Sequence, residues 1–131
     1  MNAGAAARAG RAPSHTNPAG RLIALLCSEF GDDPQIRAGS IAWNELRAAA
    51  VFESASADAL ARSTAEWQET VRALVAEIAP ELDAPAVALT LTALVEGLSG
   101  RWLTAQITST EAQATVQQVL IQLGLTHTET H

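Results

Sequence analysis

The stretch from residue 84 to residue 107 constrains this chain more than any other, because it is apolar over more than one helical face. Val87, Leu91, Leu94, Leu98, Trp102 and Ala105 step by fours and threes, the spacing of one side of an α-helix. Leu89, Val95, Leu103 and Ile107 widen that stripe around the side. A helix this apolar has to be covered by the rest of the chain and, beyond that, by a partner.

The rest of the chain is punctuated as helices too. Leu60, Thr64, Trp67, Val71, Leu74 and Ile78 form one stripe, with Arg62, Glu66, Glu69, Arg72 and Glu77 on the other faces and Arg62 one turn from Glu66. Ala112, Val116, Val119, Leu120 and Leu123 stand against Gln113, Gln117, Gln118 and Gln122. Asn17-Pro18 and Asp33-Pro34 each pair an N-cap side chain with a proline whose fixed φ suits the first helical position. Ser56, Asp83 before Ala84-Pro85, and the capping-box spacing of Thr108 and Glu111 mark three further starts. Gly31 and Gly124 suit left-handed stops, and Pro80 cannot continue a helix. The reading is five helices, near 18–30, 34–53, 57–79, 84–107 and 109–123, with no strand alternation and no internal repeat: an all-α fold.

Two adjacent helices with surplus apolar surface imply a second copy. A two-fold axis through the fourth and fifth helices makes a four-helix bundle, with Leu94, Leu98, Trp102, Val116, Leu120 and Leu123 as the expected interface. Gly97 and Gly100 either admit another helix at close range or loosen the helix beside Ser99.

With 131 residues, 48% of them hydrophobic, the chain can build one core without a disulfide or a metal. Residues 1–16 carry no large apolar side chain beyond Met1 and read as a disordered head, residues 17–125 as the helical domain, and residues 126–131 as a flexible tail. All eight cations are arginines, and from residue 17 onward six of them face fourteen acids. That balance repels phosphate, so no direct nucleic-acid contact is expected.

Cys27 is alone, which excludes an intrachain disulfide and fits a cytoplasmic setting. Leu26 directly before it argues against a lipoprotein processing site, and no run approaches the ~20 apolar residues of a membrane span.

Catalytic chemistry finds little support. His15, His127 and His131 lie in the head and tail, no cofactor loop or metal constellation is present, and no nucleophile–base pair is apparent. What stands out is a set of large or polar residues within apolar helices: Trp43 and Arg47 one turn apart near Asn44, Trp67 mid-stripe, and Glu96 beside Val95. Tryptophan faces with a charged group are what a small-ligand pocket needs, although each tryptophan serves equally as core. Glu96 either pairs with an arginine such as Arg101, faces solvent at a dimer edge, or meets a cationic ligand.

At the level of helix order and local phrases, residues 18–124 resemble the C-terminal domain of TetR-family transcriptional regulators, in the BetI-like branch. The phrases are Pro18 to Leu26 as a short opening helix, Asp33-Pro34 leading to Ile41-Ala42-Trp43, Trp67 running to Leu74, and Leu94-Val95-Glu96-Gly97-Leu98 running to Trp102. The resemblance implies a ligand cavity among the middle helices, assigned here to Trp43, Arg47, Trp67 and Glu96. It also implies a homodimer through the last two helices and a small-molecule effector, for which Glu96 and the net acidity suggest a cationic or amphipathic molecule. Residues 1–16 do not supply the family's helix-turn-helix. Three functions follow as expectations: a ligand-sensing and dimerisation domain, a ligand-free module that pairs with full-length relatives, or an unrelated helical enzyme or scaffold.

Overall fold

The computed structural model describes residues 17–127. The expected head and most of the expected tail lie outside them. Five helices follow in order: α1 (Pro18–Cys27), α2 (Pro34–Ala50), α3 (Ser54–Ile78), α4 (Ala84–Leu103) and α5 (Ser109–Gln122).

Four of the five starts form as the local chemistry dictates. Asn17 Oδ1 accepts from Gly20 N at 2.7 Å, Asp33 Oδ1 from Gln35 N at 2.8 Å and Asp83 Oδ1 from Ala86 N at 3.2 Å. Thr108 and Glu111 close the reciprocal capping box, each side chain accepting from the other's backbone N–H at 3.0 Å. α3 is the exception: it begins at Ser54 with Glu53 as N-cap, and Ser56, expected to cap, instead donates its hydroxyl to Glu53 Oε2 at 2.9 Å.

The stops differ more. α1 ends at Cys27 rather than near residue 30, because the chain turns there to bury Phe30. Gly31 is therefore not the α1 stop, and its smallness serves a close approach instead, since a Cβ there would lie 3.3 Å from Ile36 Cδ1. α4 ends at Leu103, short of 107, and Ala105 takes φ 64°. Gly124 has φ 78°, and Leu125 N–H donates to Leu120 O at 2.9 Å, a Schellman stop that buries Leu125.

α4 lies at the centre, packed against each of the other four helices. Its inward face is Ala84, Ala88, Leu91, Thr92, Val95, Leu98, Ser99 and Trp102. Against it stand Leu22, Leu25 and Leu26 of α1, Trp67, Val71 and Val75 of α3, and Ala112, Val116 and Leu120 of α5. Trp102 meets Phe30 edge-on at 5.7 Å between ring centroids and carries the Arg37 guanidinium 5.9 Å above its ring.

Candidate ligand cleft

On one side of α3 the protein leaves a cleft of about 740 Å³. Small side chains make it. Ala57, Ala61 and Ala65 recur every fourth residue along α3, beside Leu60, Thr64 and Gln68, and so form a shallow floor. The end of α2 (Arg47, Ala50, Val51) supplies one wall, and Pro85 and Ala88 from the first turns of α4 supply the other.

The polar groups of the cleft differ in how firmly they are held. Arg72 and Glu69 form a two-pronged pair, Nε to Oε2 at 2.8 Å and Nη2 to Oε1 at 2.6 Å. The hydrogen bond from Arg72 lowers the Glu69 pKa below the usual carboxylate range, and the same bond raises that of Arg72. Gln68 accepts from Thr92 Oγ1 at 3.4 Å.

Arg47 is anchored from one side. Its Nη2 donates to Asn44 Oδ1 at 2.7 Å, and Asn44 Nδ2 in turn donates to Ser40 O at 2.8 Å and Ser99 Oγ at 3.0 Å. Its buried Nη1 lies 3.6 Å from Glu96 Oε2 and makes no hydrogen bond among the described residues.

Of the four residues expected to bind a ligand, Arg47 lines this cleft; Trp43, Trp67 and Glu96 do not. Glu96 pairs with Arg47 rather than Arg101, so the partner stands one helix away instead of one turn along its own. Trp43 and Trp67 are core, at 6% and 2% exposure, and their indole N–H groups lack an acceptor among the described residues.

Sequence reasoning missed Thr64, Gln68 and the alanine floor. The signal that could have found them is the four-residue recurrence of alanine next to the main stripe, a helix face too small to fill the space beside it.

The residues expected between two copies divide in a similar way. Leu98, Trp102, Val116 and Leu120 are buried within the protomer, and Leu94 and Leu123 are half-buried. The outer face of α4 is instead Ala86, Leu89, Thr90, Ala93 and Gly97, all exposed, with Leu89 at 58%. No charge interrupts it, and a Cβ added at Gly97 or Gly100 would meet nothing within 4 Å.

Cys27 is packed near α5, and burial pushes its thiol up to about 11, only partly offset by a hydrogen bond from Gln117. It is a neutral packing group at ordinary pH. No cluster of metal-ligating side chains occurs among the described residues, and no described helix is long and apolar enough to cross a membrane.

Comparison with known proteins adds two likenesses. Residues 18–124 match the BetI-type transcriptional repressor C-terminal family. The fold is similar to the crystal structure of a TetR-family transcriptional regulator from Rhodococcus sp., with a TM-score of 0.85 and 37% sequence identity over 93% of this chain and 68% of that one. No curated protein matches the chain.

Proposed function

Because the chain belongs to the TetR family of transcriptional regulators and carries its BetI-type C-terminal domain, we propose that residues 17–125 sense a small ligand and pair with a second copy of themselves, in the cytoplasm. The observation that carries the sensing reading is the cleft. Its volume of about 740 Å³ falls within the roughly 300–1,000 Å³ of small-molecule sites, and it joins apolar walls to a few convergent polar groups.

Pairing rests on the outer face of α4. A solvated helix normally carries charge on that side, and this one carries alanine, leucine, threonine and glycine over three turns. The central residues of the contact are then Leu89, Ala93 and Gly97, with half-buried Leu94 at its margin. DNA contact is assigned to residues other than these, in keeping with the acid excess of the helical domain.

Filling the floor tests the sensing reading. Ala65 lines the cleft and is exposed, so Ala65→Trp blocks the space without touching the core. A library of small metabolites screened by thermal shift should yield compounds that stabilise the wild type and lose their effect on Ala65→Trp. Compounds that stabilise both proteins alike, or a screen without hits, would argue that the cleft senses nothing.

A further inference from the structure

We propose that the cleft takes an uncharged, largely aliphatic molecule that meets Gln68 and Thr64 through one neutral group able both to donate and to accept, a carboxamide above all. The proposal rests on the sensing reading and names the ligand class for that site.

The charges around the cleft are already matched. Arg72 and Glu69 hold each other through two short hydrogen bonds, so an anion arriving at Arg72 meets the Glu69 carboxylate, and a cation arriving at Glu69 meets the Arg72 guanidinium. Arg47 is paired with Glu96 at 3.6 Å, its Nη2 is taken by Asn44 at 2.7 Å, and its Nη1 is buried away from the cleft. The same pair occupies Glu96, which in the sequence suggested a cationic ligand. An ion of either sign would leave water for a place without a free countercharge, a far more costly exchange for an ion than for a neutral polar group.

The hydrogen-bonding groups left open stand on α3. Thr64 and Gln68 both line the cleft, one turn apart on the same face. The Thr64 hydroxyl and the Gln68 amide nitrogen make no hydrogen bond among the described residues, and neither is sealed off as the indole N–H groups of Trp43 and Trp67 are. The Gln68 carbonyl receives the Thr92 hydroxyl at 3.4 Å, but that hydroxyl has a nearer acceptor in Ala88 O at 2.9 Å. Gln68 therefore offers a donor and an acceptor side by side, the complement of a second amide.

The rest of the lining suits an aliphatic body. Val51, Leu60, Ala57, Ala61 and Ala65 supply it, and no aromatic ring, the usual seat of a quaternary ammonium group, lines the cleft.

Calorimetric titration of the whole chain with three probes of matched length, octanamide, octanoate and octyltrimethylammonium, tests this. Octanamide should bind at least tenfold more tightly than either ion. Gln68→Leu should weaken octanamide about three- to tenfold, the loss of one or two neutral hydrogen bonds, and leave the ions unaffected. Thr64→Val, nearly the same in shape, is titrated beside it, so that the result does not hang on the folding of one variant, and should weaken octanamide about threefold.

Either ion binding as tightly as octanamide, or octanamide binding undiminished in both variants, overturns the proposal. Where such binding is lost in Ala65→Trp, the sensing reading survives it. Absence of binding by all three probes overturns the proposal as well, and the sensing reading is then decided by the metabolite screen on Ala65→Trp, which presupposes no ligand class.

Discussion

Ala105 occupies a backbone conformation that suits glycine. At φ 64° it ends α4, with Ala105 N–H donating to Trp102 O at 3.1 Å and Gln106 N–H to Arg101 O at 2.8 Å, the two bonds of a Schellman stop. The left-handed conformation costs an alanine roughly 1–2 kcal/mol, part of which a glycine would return as greater freedom of the unfolded chain. Ala105→Gly should therefore stabilise the protein by about 0.5–1 kcal/mol in chemical denaturation; an unchanged or lower midpoint would mean the turn is not strained. The same comparison shows what single residues disclose. Asn17, Asp33, Asp83 and Gly124 announce their roles because their side chains, or lack of one, fit few others. Ala105 announces nothing, and the sequence reading carried α4 about one turn too far, to Ile107.

At the scale of the helix, α4 explains both the success and the shortfall of reading by periodicity. Its apolar excess is plain in the sequence, and the helix does lie at the centre of the fold. Periodicity finds a stripe without saying which neighbour covers it, and here Leu98 and Trp102 are already buried in the protomer's own core, with Phe30 edge-on to Trp102. The proposed pairing therefore falls to the exposed small-residue face around Gly97. Gly97→Glu separates the two possibilities cleanly, since the glycine has open space around it and glutamate is the better helix former by about 0.5–1 kcal/mol. The protomer should keep or gain stability, while the self-association constant measured by sedimentation equilibrium should weaken about a hundredfold or more, as for a charge placed in a tight contact. A wild type that sediments as a monomer, or a variant that still pairs normally, would remove α4 from the interface. The cleft, by contrast, was not legible beyond Arg47. A cavity is defined by volume that side chains fail to fill, and the eye is drawn to the large ones, Trp43 and Trp67, which fill theirs.

Across the whole molecule, α4 stands between the proposed ligand cleft and the proposed pairing face. Ala88 faces the cleft, Ser99 and Glu96 hold the Asn44–Arg47 pair, and Leu89, Ala93 and Gly97 point away. A ligand lodged between the end of α2 and the first turns of α4 changes how α2 is tied to α4, and through α4 the geometry at the outer face, provided it binds one arrangement better than the other. Hydrogen–deuterium exchange, run on the protein alone and with a compound that stabilises the wild type but not Ala65→Trp, tests this central claim most directly. The account predicts slower exchange at the end of α2, the first half of α3 and along α4 as far as Ser99, with α1 little changed. Protection confined to α1 and α5, or none at saturating ligand, would contradict it.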